Sequence, residues 1–400
     1  MPTAPVPTGT HFAASIDSKP VRDAIRARIV QLDATLASLA QSTQATMLER
    51  QKLLKALDSY RYPTNTLPHE ILSEVFIHTL EAYPGRPTLA GKSSPWSLGR
   101  VCKTWYEVML STHRLWARLD LDETQHHHPR FMTHGLPVLE KWLKRSGVCP
   151  LSIRFHAEEL GIKFLEALLR HATRWQDVDL EIPFEFFHRL NVSMPMLRKA
   201  TLDRALYDDE PSVGDHPLPV LTQALQLETM VLKAMLKPMS FALPLSRITT
   251  LSASVQYSDV FKLLSSALAL EICELELWPP QEDTDISPLP LPLPHLHFLR
   301  IIASATAMEV DEEEPWSIQD LCGALTVPAL QDLAVEYSLL DRSYDRDSPS
   351  WLHPLRSSPQ NPSRVVLLCH DYEDSPRIGR YEGVFPEAHV SIEYGFLWPH

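Results

Sequence analysis

Glycine is scarce in this chain, at 12 of 400 residues. Loops that wrap a phosphate need glycines so that backbone N–H groups can approach the anion, and neither G-x-G-x-x-G nor G-x-x-x-x-G-K-[ST] occurs. The serine turn G-x-S-x-G is missing as well. The five cysteines (102, 149, 273, 322 and 369) are odd in number, widely spaced and without a C-x-x-C pair. They predict free thiols in a reducing compartment, cytosol or nucleus, and neither a disulfide frame nor a zinc site. No stretch approaches ~18 uninterrupted apolar residues, so no membrane span is expected. The opening "MPTAPVPTGTHFAAS" lacks the charged start and apolar run of a signal peptide. A basic excess is also lacking. The formal net charge of −13 argues against binding to nucleic acid or an anionic membrane, because phosphate contacts need a basic surface.

Proline, at 34 residues, is in excess, while 44% hydrophobic and 22% charged residues are ordinary for a globular chain of two or three domains. Residues 1–20 are rich in Pro, Thr and Ser and are expected to be disordered. Residues 21–62 predict a helical, coiled-coil-like stalk. Ile25, Ile29, Leu32, Leu36 and Leu39 alternate spacings of four and three, which is a heptad seam. The register continues through Thr43, Thr46 and Arg50 before apolar residues return at Leu53 and Leu57. The weak centre allows one bent helix or two packed helices. An Arg in a continuous parallel dimer seam is costly, so the expectation is a bend near Ser42–Thr46, packing within the same chain, and a chain that does not pair with its own copies.

Residues 64–120 predict a compact helical unit. In "TLPHEILSEVF" Pro68 suits the first helical position, and Ile71, Leu72, Val75, Phe76 and Leu80 make one broad apolar stripe. A turn-rich loop follows. A second helix is expected in "WSLGRVCKTWYEVML", with Leu98, Val101, Cys102, Trp105 and Val108 on one face, and "STHRLW" predicts a cap at Ser111 or Thr112 and a short third helix. The pair "LPHEILSEVF" and "SLGRVCKTWYEVMLSTHRLW" resembles the F-box of mushroom-forming (basidiomycete-type) fungi, with its Leu-Pro helix, Val-Cys-x-x-Trp helix and Leu-Trp close. The resemblance covers about 55 residues and extends to the preceding heptad helix. It implies docking on the adaptor Skp1 and, through it, on a cullin. It assigns the Skp1 face to Leu67, Pro68, Ile71, Leu72, Val101, Cys102 and Trp105, and gives Leu115 and Trp116 to the unit's own core. The loop between the helices is longer than in animal F-boxes.

In residues 145–400 the pattern apolar-x-x-apolar-x-apolar recurs. It appears at Val148/Leu151/Ile153, Trp175/Val178/Leu180, Leu197/Ala200/Leu202, Leu227/Met230/Leu232, Ile248/Leu251/Ala253, Ile272/Leu275/Leu277, Leu296/Leu299/Ile301 and Leu330/Leu333/Val335. Starts 21 to 34 residues apart overlap the period of leucine-rich repeats, although the usual repeat asparagine is missing. "RVVLLCH" and "VSIEYGFLW" predict further strands. The expected fold class is therefore α+β: a helical stalk and helical F-box, followed by an irregular leucine-rich-repeat-like α/β solenoid that holds a protein substrate.

The remaining motifs carry little chemistry. His126, His127 and His128 are adjacent and cannot all face one metal, so they are expected in a solvated loop, as are the acidic clusters Asp208–Glu210 and Asp311–Glu314. "PLPLPLPH" (288–295) is expected to be a stiff connector rather than a polyproline ligand. No nucleophile is tied to a base by any motif, and no catalytic residue, metal or cofactor is expected. The F-box resemblance, with the repeats, implies the substrate-recognition adaptor of an SCF-type (Skp1-cullin-F-box) ubiquitin ligase, or alternatively an interaction scaffold that recruits no ligase.

Overall fold

The structure is a computed structural model. It describes residues 19–59, 67–80, 86–122, 129–156, 161–205, 217–233, 240–280, 290–304, 318–340, 352, 355, 362–369, 376 and 378–395. The chain forms two compact units, Met1–Pro68 and His69–His400. In the first, α1 (Lys19–Ser59) is one helix of 41 residues and buries none of them. The expected break near Ser42–Thr46 and the expected folding back of the seam are corrected: the helix is uninterrupted through these residues. The Thr43 and Thr46 hydroxyls donate to the carbonyls of Leu39 and Ser42, at 2.8 and 3.0 Å, so these polar residues are satisfied within the helix and have no cause to break it.

The second unit begins with α2 (His69–Thr79), one residue later than the expected start at Pro68. The expected second helix is split. A 3₁₀ turn (Pro95–Arg100) is followed by α3 (Lys103–Ser111), and Cys102 between them is extended, its Sγ accepting the Trp105 N–H at 3.5 Å as an N-cap. Gly99 sits in the 3₁₀ turn so close to α3 that a Cβ would lie 2.9 Å from Met109 Sδ, so a larger residue there requires the Met109 thioether to move. Thr112 stands at the expected N-cap position of the third helix, but its hydroxyl donates to the Val108 carbonyl and closes α3 instead. The short 3₁₀ turn His113–Trp116 then buries Leu115 and Trp116.

From Trp116 the chain passes directly into one parallel sheet of 11 strands. These are β1 (Arg118–Asp122), β2 (Leu151–His156), β3 (Trp175–Ile182), β4 (Lys199–Arg204), β6 (Thr229–Leu232), β8 (Thr250–Gln256), β9 (Ile272–Trp278), β11 (Phe298–Ala303), β13 (Asp332–Glu336), β14 (Arg364–Cys369) and β15 (His389–Tyr394), in that spatial order. Two-residue strands pair separately, β5 (Leu218–Pro219) with β7 (Phe241–Ala242) and β10 (Leu291–Pro292) with β12 (Leu325–Thr326). Parallel neighbours cannot be joined by a tight hairpin, so every strand is followed by a crossover. Helices such as α4 (Pro129–Arg145), α5 (Ile162–Leu169) and α6 (Tyr257–Ser265) fill some of these crossovers, and 3₁₀ turns or the short strands fill others.

This sheet overturns the expected fold class. The chain is α/β, with helices interleaved among the strands of one continuous sheet, and not an α+β chain with a helical F-box ahead of a leucine-rich-repeat-like solenoid. The physical reason lies in pairing. The apolar triplets mark where strands form, but class depends on which strand lies beside which, and that is decided by contacts across the whole unit. One large apolar core runs from Leu72 to Val390, and a small separate cluster is formed by Ile302, Ala334, Val366 and Leu368.

Two register rows carry that core. One passes from Leu119 through Ile153, Val178, Ala200, Met230, Leu251, Cys273, Leu299 and Leu333 to Val365 and Val390, and the other lies two residues further along each strand. In six of the eight triplets the last two apolar residues fall in these rows. The other two were laid two residues out of phase. In β2 the pair is Ile153/Phe155, and Val148 is 91% exposed; in β9 it is Cys273/Leu275. Strand β9 alternates Cys273, Leu275 and Leu277, all fully buried, so the pattern fits at two phases, and a buried cysteine serves as a small apolar residue.

A chemical test of the β9 register follows. Burial pushes the Cys273 thiol up to about 12, helped by the neighbouring Glu274, and burial pushes Cys322 up to about 12 as well. A thiol reagent applied at pH 8 should leave both untouched in the folded protein and modify them after denaturation, because only the thiolate reacts. Modification of native Cys273 at the rate of a free thiol would show that the β9 register is wrong.

Candidate functional site

Two surfaces among the described residues of the His69–His400 unit combine exposed apolar or paired charged side chains. The first is the helix pair α2–α3. Leu72 and Phe76 are one helical turn apart and buried, which fixes the inner face of α2. Phe76 meets the Trp105 ring at 4.8 Å between centroids, tilted by 57°, so these two rings join the helices. Glu74 and Arg114 add an exposed ion pair at 3.0 Å. With the inner face so defined, Ile71 and Val75, also one turn apart, point outward and are 51% and 41% exposed. Val101, just ahead of α3, is 60% exposed, and Tyr106 on α3 is 43% exposed.

The apolar stripe read from sequence is therefore divided: Leu72 and Phe76 belong to the chain's own core, whereas Ile71 and Val75 have no cover. Of the seven residues singled out, Ile71 and Val101 face solvent on the helix pair, and Leu72 lies in the core. Cys102 and Trp105 are partly buried and engaged within the unit, one as a cap and the other against Phe76. Leu67 and Pro68 are both exposed and belong to the preceding unit, so they are not grouped with the helix pair. Val75 and Tyr106 were absent from the sequence assignment. Their helical spacing was legible, but their exposure was not.

The second surface is the polar face of the sheet over β1–β6, opposite the core. Arg154 on β2 lies 3.7 Å from Asp120 on β1 and 3.0 Å from Asp179 on β3. His156, two residues on, lies 3.9 Å from Asp179 and 3.6 Å from Glu181, and Lys233 reaches Asp179 at 4.0 Å from beyond β6. Arg86 comes from the loop between α2 and α3. Pro87 of that loop accepts the Asp120 N–H at 2.9 Å, and Thr88 forms a parallel bridge with Asp120, which lays the loop along β1. Arg86 can then cross to Ser152 and Asp177, each at 3.0 Å. No short motif announces this ladder, because its members are spread from residue 86 to residue 233 and only the sheet register brings them into line.

No family model matches this chain, and no curated protein matches it. The candidate surfaces rest on their geometry alone.

Asp179 is the electrostatic centre of the ladder. Burial alone would raise its carboxyl, but the His156 ring, the Lys233 ammonium and the Arg154 guanidinium outweigh burial and bring it down to about 2. The arrangement holds charge and offers donors and acceptors to a partner, and within it the Ser152 hydroxyl donates to the Asp177 carboxylate at 3.3 Å. Among the described residues no three His, Cys, Asp or Glu side chains are grouped to hold a metal. The run His126–His128 and the acidic clusters Asp208–Glu210 and Asp311–Glu314 lie outside the described residues. In the proline-rich segment, Leu291 and Leu293 are buried and Leu291–Pro292 forms a strand with Leu325–Thr326.

The depressed Asp179 carboxyl has a consequence for stability. Its folded value lies below its ordinary 3.8, so the stabilisation is complete above pH 3.8 and is lost as pH falls toward 2. Asp179→Asn should lower stability by about 2 kcal/mol at neutral pH. The gap between wild type and variant should narrow between pH 4 and pH 2, measured by urea unfolding at fixed pH values. A gap independent of pH would mean that Asp179 contributes nothing through its charge.

Proposed function

We propose that this chain is a non-enzymatic adaptor. The α2–α3 face docks on Skp1 and through it on a cullin, and the polar face of the sheet receives a protein substrate for SCF-type ubiquitin transfer. The observation that carries this reading is the exposure of Ile71 and Val75 on α2, Tyr106 on α3 and Val101 just ahead of α3, in the segment whose sequence resembles an F-box. Exposed aliphatic and aromatic side chains on packed helices are what a partner helix can bury. The mutually paired charges of the sheet face suit selection among partners more than raw affinity. Mechanism is then proximity: the chain raises the local concentration of substrate beside the ubiquitin-charged enzyme and makes or breaks no bond itself. Such a complex works in cytosol or nucleus. No described helix is long and apolar enough to cross a membrane.

The test uses the exposed residues, since they can be changed without opening the core. Ile71→Glu and Val101→Glu should each reduce co-purification of Skp1 by about tenfold or more, because a charge would enter an apolar contact. Their melting temperatures should stay within a few degrees of wild type, while Leu72→Glu unfolds the helix pair. Undiminished Skp1 recovery with both exposed variants would refute the docking assignment. Skp1 capture without cullin would favour an interaction scaffold.

A further inference from the structure

We infer that α1 pairs with α1 of a second copy of this chain as an antiparallel coiled coil. The inference depends on this helix alone and not on the adaptor reading. The seam from Ile25 to Leu57 alternates spacings of four and three over 33 residues, more than four heptads. Ile29, Leu32, Leu36, Leu39, Leu53 and Leu57 are each about half exposed or more, and no residue of α1 is buried. Water is a poor solvent for such a face, and three to four heptads are enough to define a coiled coil.

The orientation follows from where the seam is weak. In a parallel pair each seam residue faces its own copy. Thr43, Thr46 and Arg50 would then form three successive weak layers, the last setting two guanidinium groups against each other. In an antiparallel pair centred on Gln41, residue i faces residue 82 − i of the other copy. Ile25 then faces Leu57, Ile29 faces Leu53, Leu32 faces Arg50, Leu36 faces Thr46 and Leu39 faces Thr43. Every weak position lies against a leucine, and no layer lacks a large aliphatic side chain. Arg50 covers Leu32 with its methylene stem, and its guanidinium lies beside Asp33, the next residue of the facing helix. Shifting this register by one heptad is worse in both directions. One shift sets Thr43 against Thr46, and the other leaves Leu57 facing position 18, beyond the start of α1 at Lys19.

Light scattering of the full-length protein should give a dimer that becomes monomeric when residues 19–59 are deleted. A spin label encoded at Asp58 should report about 50 Å between copies, from 34 residues of helix at 1.5 Å each. A parallel pair would report under about 20 Å, since packed helix axes lie 8–10 Å apart. Ile29→Glu, which faces Leu53, should weaken dimerisation by about a hundredfold or more. Leu32→Glu, which faces Arg50, should weaken it much less, whereas in a parallel pair both variants would set glutamate against glutamate. A monomeric wild type, a dimer that survives the deletion, a short label distance, or equal loss from the two glutamate variants would each overturn the proposal.

Discussion

Each strand of the large sheet pairs in parallel with the next one along the chain, and this pairing constrains everything else in the His69–His400 unit. It demands a crossover after every strand and puts the same two rows of side chains into the core from β1 to β15. It also decides what the other face of the sheet carries, because residues between the core rows must project away from them. The Asp120–Arg154–Asp179 ladder is a product of that register: three side chains from three strands meet because their backbones are aligned.

The helical segment is joined to this sheet through tryptophan. Trp116 ends the 3₁₀ turn immediately before β1 and is fully buried. It meets Trp96 edge-on at 5.2 Å and Trp142 of α4 at 5.0 Å. Its indole N–H donates to the Met109 carbonyl at 3.0 Å, and Arg145 lies over both Trp96 and Trp116, at 4.1 and 4.9 Å from the ring centroids. Edge-on rings and a cation over a ring face are directional contacts, so they set the angle at which α3 leaves the sheet as well as filling space. The helices bearing the exposed Ile71, Val75 and Tyr106 are thus fixed by buried residues on their other sides.

Much of the local structure was legible in sequence. Alternating apolar residues located the strands, and the heptads of α1 and the helical period of α2 and α3 stood out. Interpretation failed where two choices satisfied the same local pattern. In β9 the triplet fitted at two phases, and a cysteine in the true core row looked less apolar than an isoleucine outside it. In the segment before α3, helical spacing ran through Val101 and Cys102, yet Cys102 is extended and caps the helix with its sulfur.

What the sequence determined by itself was periodicity: where helices and strands form, which residues share a face, and that no glycine loop or paired cysteines were present for phosphate or zinc chemistry. These follow from neighbours within a few residues, because backbone geometry sets the spacing of side chains locally. Only tertiary structure decided the α/β class, the charged ladder and the opposite fates of Ile71 and Leu72. Those two adjacent residues are nearly equal in hydrophobicity. One is half exposed and the other buried because the Phe76–Trp105 contact sets how α2 is turned against α3. Contacts between residues far apart in the chain select one face among several that are locally equivalent, and no window of sequence contains that information.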